Sequence, residues 1–160
     1  MSHDLHCYDY VNQPYEIVRR AVVADPQALF GLATTAGVHS RLHVRLGAVD
    51  VAAKIEIEIV AVEEKREALE RPATVISIQW QSRRRSSLFP TMTGTFMLYP
   101  LSPTETQVEL SGRYETPLGA LGDAIDAVAL HGFAQESVGA FVREVATHLR
   151  RTLSVEQASA

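Results

Sequence analysis

The chain is poor in cysteine. Cys7 stands alone among 160 residues, so no intrachain disulfide can form, which suits a reducing compartment. It also lacks an excess of positive charge: the formal net charge is -4, and the basic face of a nucleic-acid binder is not expected. No apolar run approaches the ~20 residues of a membrane span. The opening MSHDLHCYDYVNQPYE has no basic segment followed by an apolar stretch, as a secretory signal would; a cytoplasmic location is expected. Motifs that name a reaction are missing too. There is no G-x-S-x-G, no P-loop, no dinucleotide fingerprint and no zinc-type pattern of Cys and His. No internal repeat or low-complexity segment is visible.

What is present suits one ordinary domain. Hydrophobic residues make up 46% and charged residues 21%, the balance of a globular protein. A chain of this size buries roughly 70% of its unfolded surface and needs no metal or disulfide staple. Residues 1–14 are polar and irregular and are expected to form a flexible arm. Residues 15–153 are expected to form the domain, and 154–160 a flexible tail. The β-branched run EIVRRAVV (16–23) predicts a first strand. Asp25 then offers an N-cap and Pro26 the first helical position, with Ala28, Leu29 and Leu32 as the apolar stripe of a short helix. Period-two alternation predicts strands over 41–50, 54–63, 73–81, 92–101 and 105–115. In KIEIEIVAVE, Ile55, Ile57 and Ile59 face one way and Glu56 and Glu58 the other. The turn SPTE predicts that the last two strands form a hairpin.

From Leu118 to Leu153 the period becomes helical. Ala134, Val138, Phe141, Val142, Val145 and Leu149 form one stripe. Leu121, Ile125 and Val128 form another, turned relative to the first, which predicts a bend near Gly132. Short-turned alternating strands predict an antiparallel sheet with one dry face, and this helix is the element long enough to cover it. The fold class is α+β: a curved sheet of about six strands wrapped around a long C-terminal helix, with a short helix after the first strand.

The stretch GRYETPLGALGDAIDAVALHG (112–132) carries a resemblance. A last strand ending in G-x-Y, a Pro-Leu-Gly corner and a helix beginning L-x-x-L-G-x-x-I-D resemble the strand-to-helix junction of the START-like (SRPBCC) superfamily. Gly112, Tyr114, Pro117, Leu118, Gly119, Leu121, Gly122, Ile125 and Asp126 carry it, together with the strand-DP-x-x-LF start at Val22, Asp25, Pro26, Leu29 and Phe30. The resemblance implies a helix-grip fold with a hydrophobic cavity. It does not imply catalysis, because that superfamily includes carriers as well as cyclases.

Several groups are candidates for chemistry. Asp123 and Asp126 lie three apart on one helical flank, with His131 on the same side; they suit acid–base work, but two aspartates early in a helix more simply complement its dipole. His39 and His43, four apart, would suit a metal only on a helix. His3, His6 and Cys7 are ligand types lacking a fixed fourth partner. Arg83, Arg84 and Arg85, before an apolar loop tip, read as a solvated hairpin loop, so membrane contact is not expected. Tyr114 stands out because a buried phenol needs a hydrogen-bond partner; its neighbour Arg113 points the other way in a regular strand.

These features favour a non-catalytic carrier or sensor of a small hydrophobic molecule, such as a lipid, an isoprenoid or an aromatic polyketide-like compound. Ile57, Ile78, Phe96, Tyr114, Leu121, Ile125 and Val128 are the expected lining. No metal, cofactor or nucleic acid is expected. A cyclase or aromatase using Tyr114, His131 and Asp126 is the alternative, and a protein-interaction domain a further one.

Overall fold

The computed structural model describes residues 2–35, 43–46, 49–52, 55–66, 71–82, 91–115 and 127–159. Strand β1 (Ser2–Val11) comes first, followed by helices α1 (Tyr15–Ala24) and α2 (Pro26–Ala33). Strands β2 (His43–Leu46), β3 (Val49–Ala52), β4 (Ile55–Arg66), β5 (Pro72–Ser82), β6 (Met92–Ser102) and β7 (Glu105–Glu115) then lead to α3 (Ala127–Ala158). The main sheet has five strands in the order β1-β7-β6-β5-β4, and β2 and β3 pair as a separate two-stranded sheet. All pairings are antiparallel. Helix α3 packs against β1 and β7, giving the α+β sheet-and-helix arrangement expected from the alternation.

Two early elements correct the sequence reading. The expected arm is β1, paired along its whole length with β7 from Ser2↔Glu115 to Val11↔Thr106. Its alternation buries Leu5 and Val11 and leaves Tyr8 and Tyr10 exposed. The run EIVRRAVV, expected as a strand, is α1. Its β-branched content suggests a strand, but Tyr15, Val18 and Val22 are the buried positions, and spacings of three and four belong to a helix. Glu16 and Arg19 pair across one turn at 3.0 Å.

Helix α2 starts as the sequence reads: Asp25 accepts a hydrogen bond from the Ala28 N–H at 2.9 Å, with Pro26 in the first turn. Its buried face differs. Leu29, Phe30 and Ala33 face inward while Leu32 is exposed. Helix α3 runs uninterrupted through Gly132 to Ala158, so the expected tail is mostly helix. All six residues of the expected stripe from Ala134 to Leu149 are buried. Leu121, Ile125, Asp123 and Asp126 lie outside the described residues.

The inner sheet face carries the core. Phe141 of α3 meets Phe30 at 5.4 Å, Trp80 at 5.5 Å and Phe96 at 6.3 Å between ring centroids, all edge to face. Such aromatic pairs contribute roughly 0.5–1.5 kcal/mol each beyond area burial. They fix α3 and α2 onto the middle of the sheet.

Candidate functional site

Strand register sorts the inner face into rows. One row runs His3–Tyr114–Met92–Trp80–Ile57 across β1, β7, β6, β5 and β4. Tyr114, Met92, Trp80 and Ile57 are all buried, whereas His3 is half-buried. Beside this row Gly112 stands directly opposite Gly94. A Cβ on Gly94 would lie 2.9 Å from the Ser111 carbonyl oxygen, and one on Gly112 would lie 2.9 Å from the Met92 sulfur. Glycine therefore lets β6 and β7 press together and leaves room for the Met92 side chain against Gly112.

Helix α3 brings His131 over the same end. Tyr114 Oη lies 3.0 Å from His131 Nδ1. The His3 ring stacks on Tyr114 at 5.1 Å with an interplanar angle of 22°, and its centroid is 5.8 Å from that of His131. Tyr114 is 1% exposed, and burial pushes its phenol above the ordinary tyrosine value. His131, like His3, is half-buried, so the two imidazoles form the accessible side of the cluster.

The residues singled out from the sequence fall unevenly. Tyr114 and His131 come together from β7 and α3. Ile57 shares the Tyr114 row, Ile78 lies in the next row, and Phe96 lies one row beyond. Phe96 has no exposed surface and packs edge-on against Phe30 at 5.0 Å; it closes the interface rather than lining open space. Val128 belongs to α3, but its side chain is not among those described. Arg113 points to the outer face, as expected, and pairs with Asp4 at 2.9 Å. The sequence places His3 in the wrong company. Parity along β1 sends His3 and Cys7 inward and His6 outward, so H-x-x-H-C is no chelate. His6 instead pairs with Glu109 at 2.9 Å on the outer face, and burial pushes the Cys7 thiol above its ordinary value. Among the described residues no group of three His, Cys, Asp or Glu side chains could hold a metal ion. No described helix is long and apolar enough to cross a membrane. His39 and the arginines at 83–85 lie outside the described residues.

No family model matches this sequence, and no curated protein matches it. Solved structures do match in shape. An aromatase/cyclase from Streptomyces sp. R1128 superposes with a TM-score of 0.56 at 14% identity, covering 96% of each chain. A conserved protein from Geobacillus kaustophilus gives 0.57 at 14% identity, covering 95% of this chain and 97% of that one. The chain has the START-like helix-grip fold. A protein from Thermus thermophilus extends the likeness, with a TM-score of 0.52 at 16% identity over 94% of this chain and 99% of that one. In this START-like fold His3, Tyr114 and His131 meet at one end of the interface between the inner sheet face and the C-terminal helix.

Proposed function

We propose that this protein binds a small hydrophobic molecule between the inner sheet face and α3, at the end marked by Tyr114 and His131, without chemical conversion. The observation that carries the reading is the Tyr114–His131 pair. A buried apolar row ends in a hydrogen-bonded phenol and imidazole, beside a second half-buried imidazole. Apolar surface with one or two convergent polar groups is the usual composition of a small-molecule site. Affinity would come from contact with side chains such as Trp80, Met92 and Ile57, and orientation from the polar pair. The expected lining at Ile78 and Phe96 then forms the closed floor.

Native mass spectrometry of the freshly purified protein tests this. The reading expects a small-molecule adduct that organic extraction removes and an added apolar aromatic compound restores. A bare mass, together with failure to bind such compounds, overturns it.

A second reading has one specific observation in its favour: the 3.0 Å Tyr114–His131 contact is of hydrogen-bond length suited to proton transfer, on a fold shared with an aromatase/cyclase. In that reading Tyr114, His131 and Asp126 would assist cyclisation of a bound chain. It requires turnover of an added substrate that is lost in Tyr114→Phe.

A further inference from the structure

The proposed site has a donor and acceptor pattern that can be worked out from one hydrogen bond. Tyr114 is 1% exposed, and the phenol carries a single proton to donate. Among the described residues the acceptor in reach is His131 Nδ1, at 3.0 Å. If Nδ1 carried the imidazole proton instead, the Tyr114 O–H would be buried with no acceptor among those residues. An unmade buried hydrogen bond is the costlier arrangement. Tyr114 therefore donates, Nδ1 accepts, and the proton of the neutral ring sits on Nε2. The tautomer of a histidine follows from the bond its other nitrogen makes.

We propose that Tyr114 locks His131 as the Nε2–H tautomer, and that this N–H is the donor that orients a bound apolar molecule by a carbonyl-type oxygen. This deepens the ligand-binding reading above and rests on it. Among the described residues Nε2 has no hydrogen-bond partner, and the ring is half-buried beside the buried row. The half-buried His3 ring, stacked on Tyr114 and 5.8 Å from the His131 ring between centroids, is the flat π surface next to it. That combination fits a planar apolar ligand bearing an sp2 acceptor oxygen. It rejects a ligand whose only polar group is a donor, because two donors would then meet. Tyr114 is a positioning residue in this account, since it acts through His131.

The experiment has two arms. First, long-range proton–nitrogen NMR on 15N-histidine-labelled protein, at alkaline pH where an ordinary imidazole is neutral, reads the tautomer. The His131 signal is assigned by its loss in His131→Gln. The Nε2–H signature is expected in the parent, moving toward a mixture in Tyr114→Phe; an Nδ1–H signature in the parent overturns the proposal. Second, NMR titration compares indane with 1-indanone, which differ by one carbonyl. The ketone should bind about five-fold more tightly, the effect of one neutral hydrogen bond. His131→Phe should abolish that preference, and His131→Gln, which keeps a donor, should restore part of it. Equal affinity of the parent for both compounds overturns the orienting role while leaving the ligand-binding reading intact. If neither compound binds, both fall. Should His131→Phe fail to fold, the parent's tautomer and its ketone preference still decide.

Discussion

The two ends of the sheet each bury a tyrosine, and the two are treated differently. Tyr15 of α1 sits at one end, 6% exposed. Its hydroxyl donates to Thr74 Oγ1 at 2.6 Å and lies 3.4 Å from the Glu64 carboxylate. Glu64 in turn accepts from Thr74 and pairs with Arg19. Close by, Gln13 and Gln157 exchange hydrogen bonds, and Thr106 donates to the Gln13 carbonyl. These partners all come from the protein itself, tying α1, β4, β5, β7 and the end of α3 together. Tyr114 at the other end has one hydrogen-bond partner among the described residues, His131, which is itself half-open. One end is a clasp; the other keeps polar capacity beside apolar surface. Buried polar groups are normally saturated, so the end that leaves capacity at its rim is where a ligand contact is expected.

Substitutions can break this contrast, and the largest effect should come from neither end. Phe141→Ala removes the ring joining Phe30, Phe96 and Trp80 and should cost about 3–5 kcal/mol in denaturant unfolding. It should damage stability and ligand binding together. Tyr15→Phe should cost about 1 kcal/mol of stability and leave binding of an apolar compound unchanged; a loss of binding there would erase the distinction between the ends. Tyr114→Phe should do the reverse, changing the midpoint of unfolding by less than Tyr15→Phe does while weakening ketone binding, though by less than His131→Phe does. Equal effects of the two tyrosine changes on both readouts would make Tyr114 a second clasp.

The smallest effect belongs to the outer face. Burial alone would raise the Glu109 carboxyl. Hydrogen bonds from His6, Tyr99 and Gln107 outweigh it and hold the group below the ordinary value. Its partners lie at 2.9 Å for His6, 2.9 Å for Tyr99 and 3.0 Å for Gln107. A depressed carboxylate stabilises the fold above its unfolded-state pKa, and that stability is lost as pH falls through the folded-state value. Glu109→Gln should therefore lose less stability than the parent between neutral pH and pH below the carboxylate range. The difference should be small, since the His6 side is open to solvent. Parallel acid limbs for the two proteins would remove Glu109 from the account.

Much of the sheet was legible because alternation is a local signal. In β4 and β5 the parity of Ile57, Ile76, Ile78 and Trp80 reads straight from period two. Strand register was less accessible. The turn pairs Ser102 with Glu105, yet the irregularity between Pro100 and Ser102 shifts the pairing by one, so Met92 meets Tyr114 rather than Glu115. A bulge of this kind has no clear signature in SPTE. The first two elements mislead for opposite reasons. In α1 the β-branched composition competes with a helical spacing of buried residues, and spacing prevails. In β1 the alternation of Leu5, Cys7 and Val11 is diluted by polar side chains on both faces. That second loss hides His3, since its place beside Tyr114 depends on pairing between residues more than a hundred positions apart. Tyr114 and His131 were each legible as candidates, but their contact depends on where α3 crosses the sheet.

The central claim is that the Tyr114 end of the sheet–helix interface holds a small apolar molecule. Native mass spectrometry of the parent beside Tyr114→Phe and Tyr15→Phe, each loaded with the same apolar ketone, tests it most directly. The account predicts a one-to-one adduct on the parent and on Tyr15→Phe, and a clearly reduced adduct on Tyr114→Phe. No adduct on the parent, or the same occupancy on all three, would contradict it.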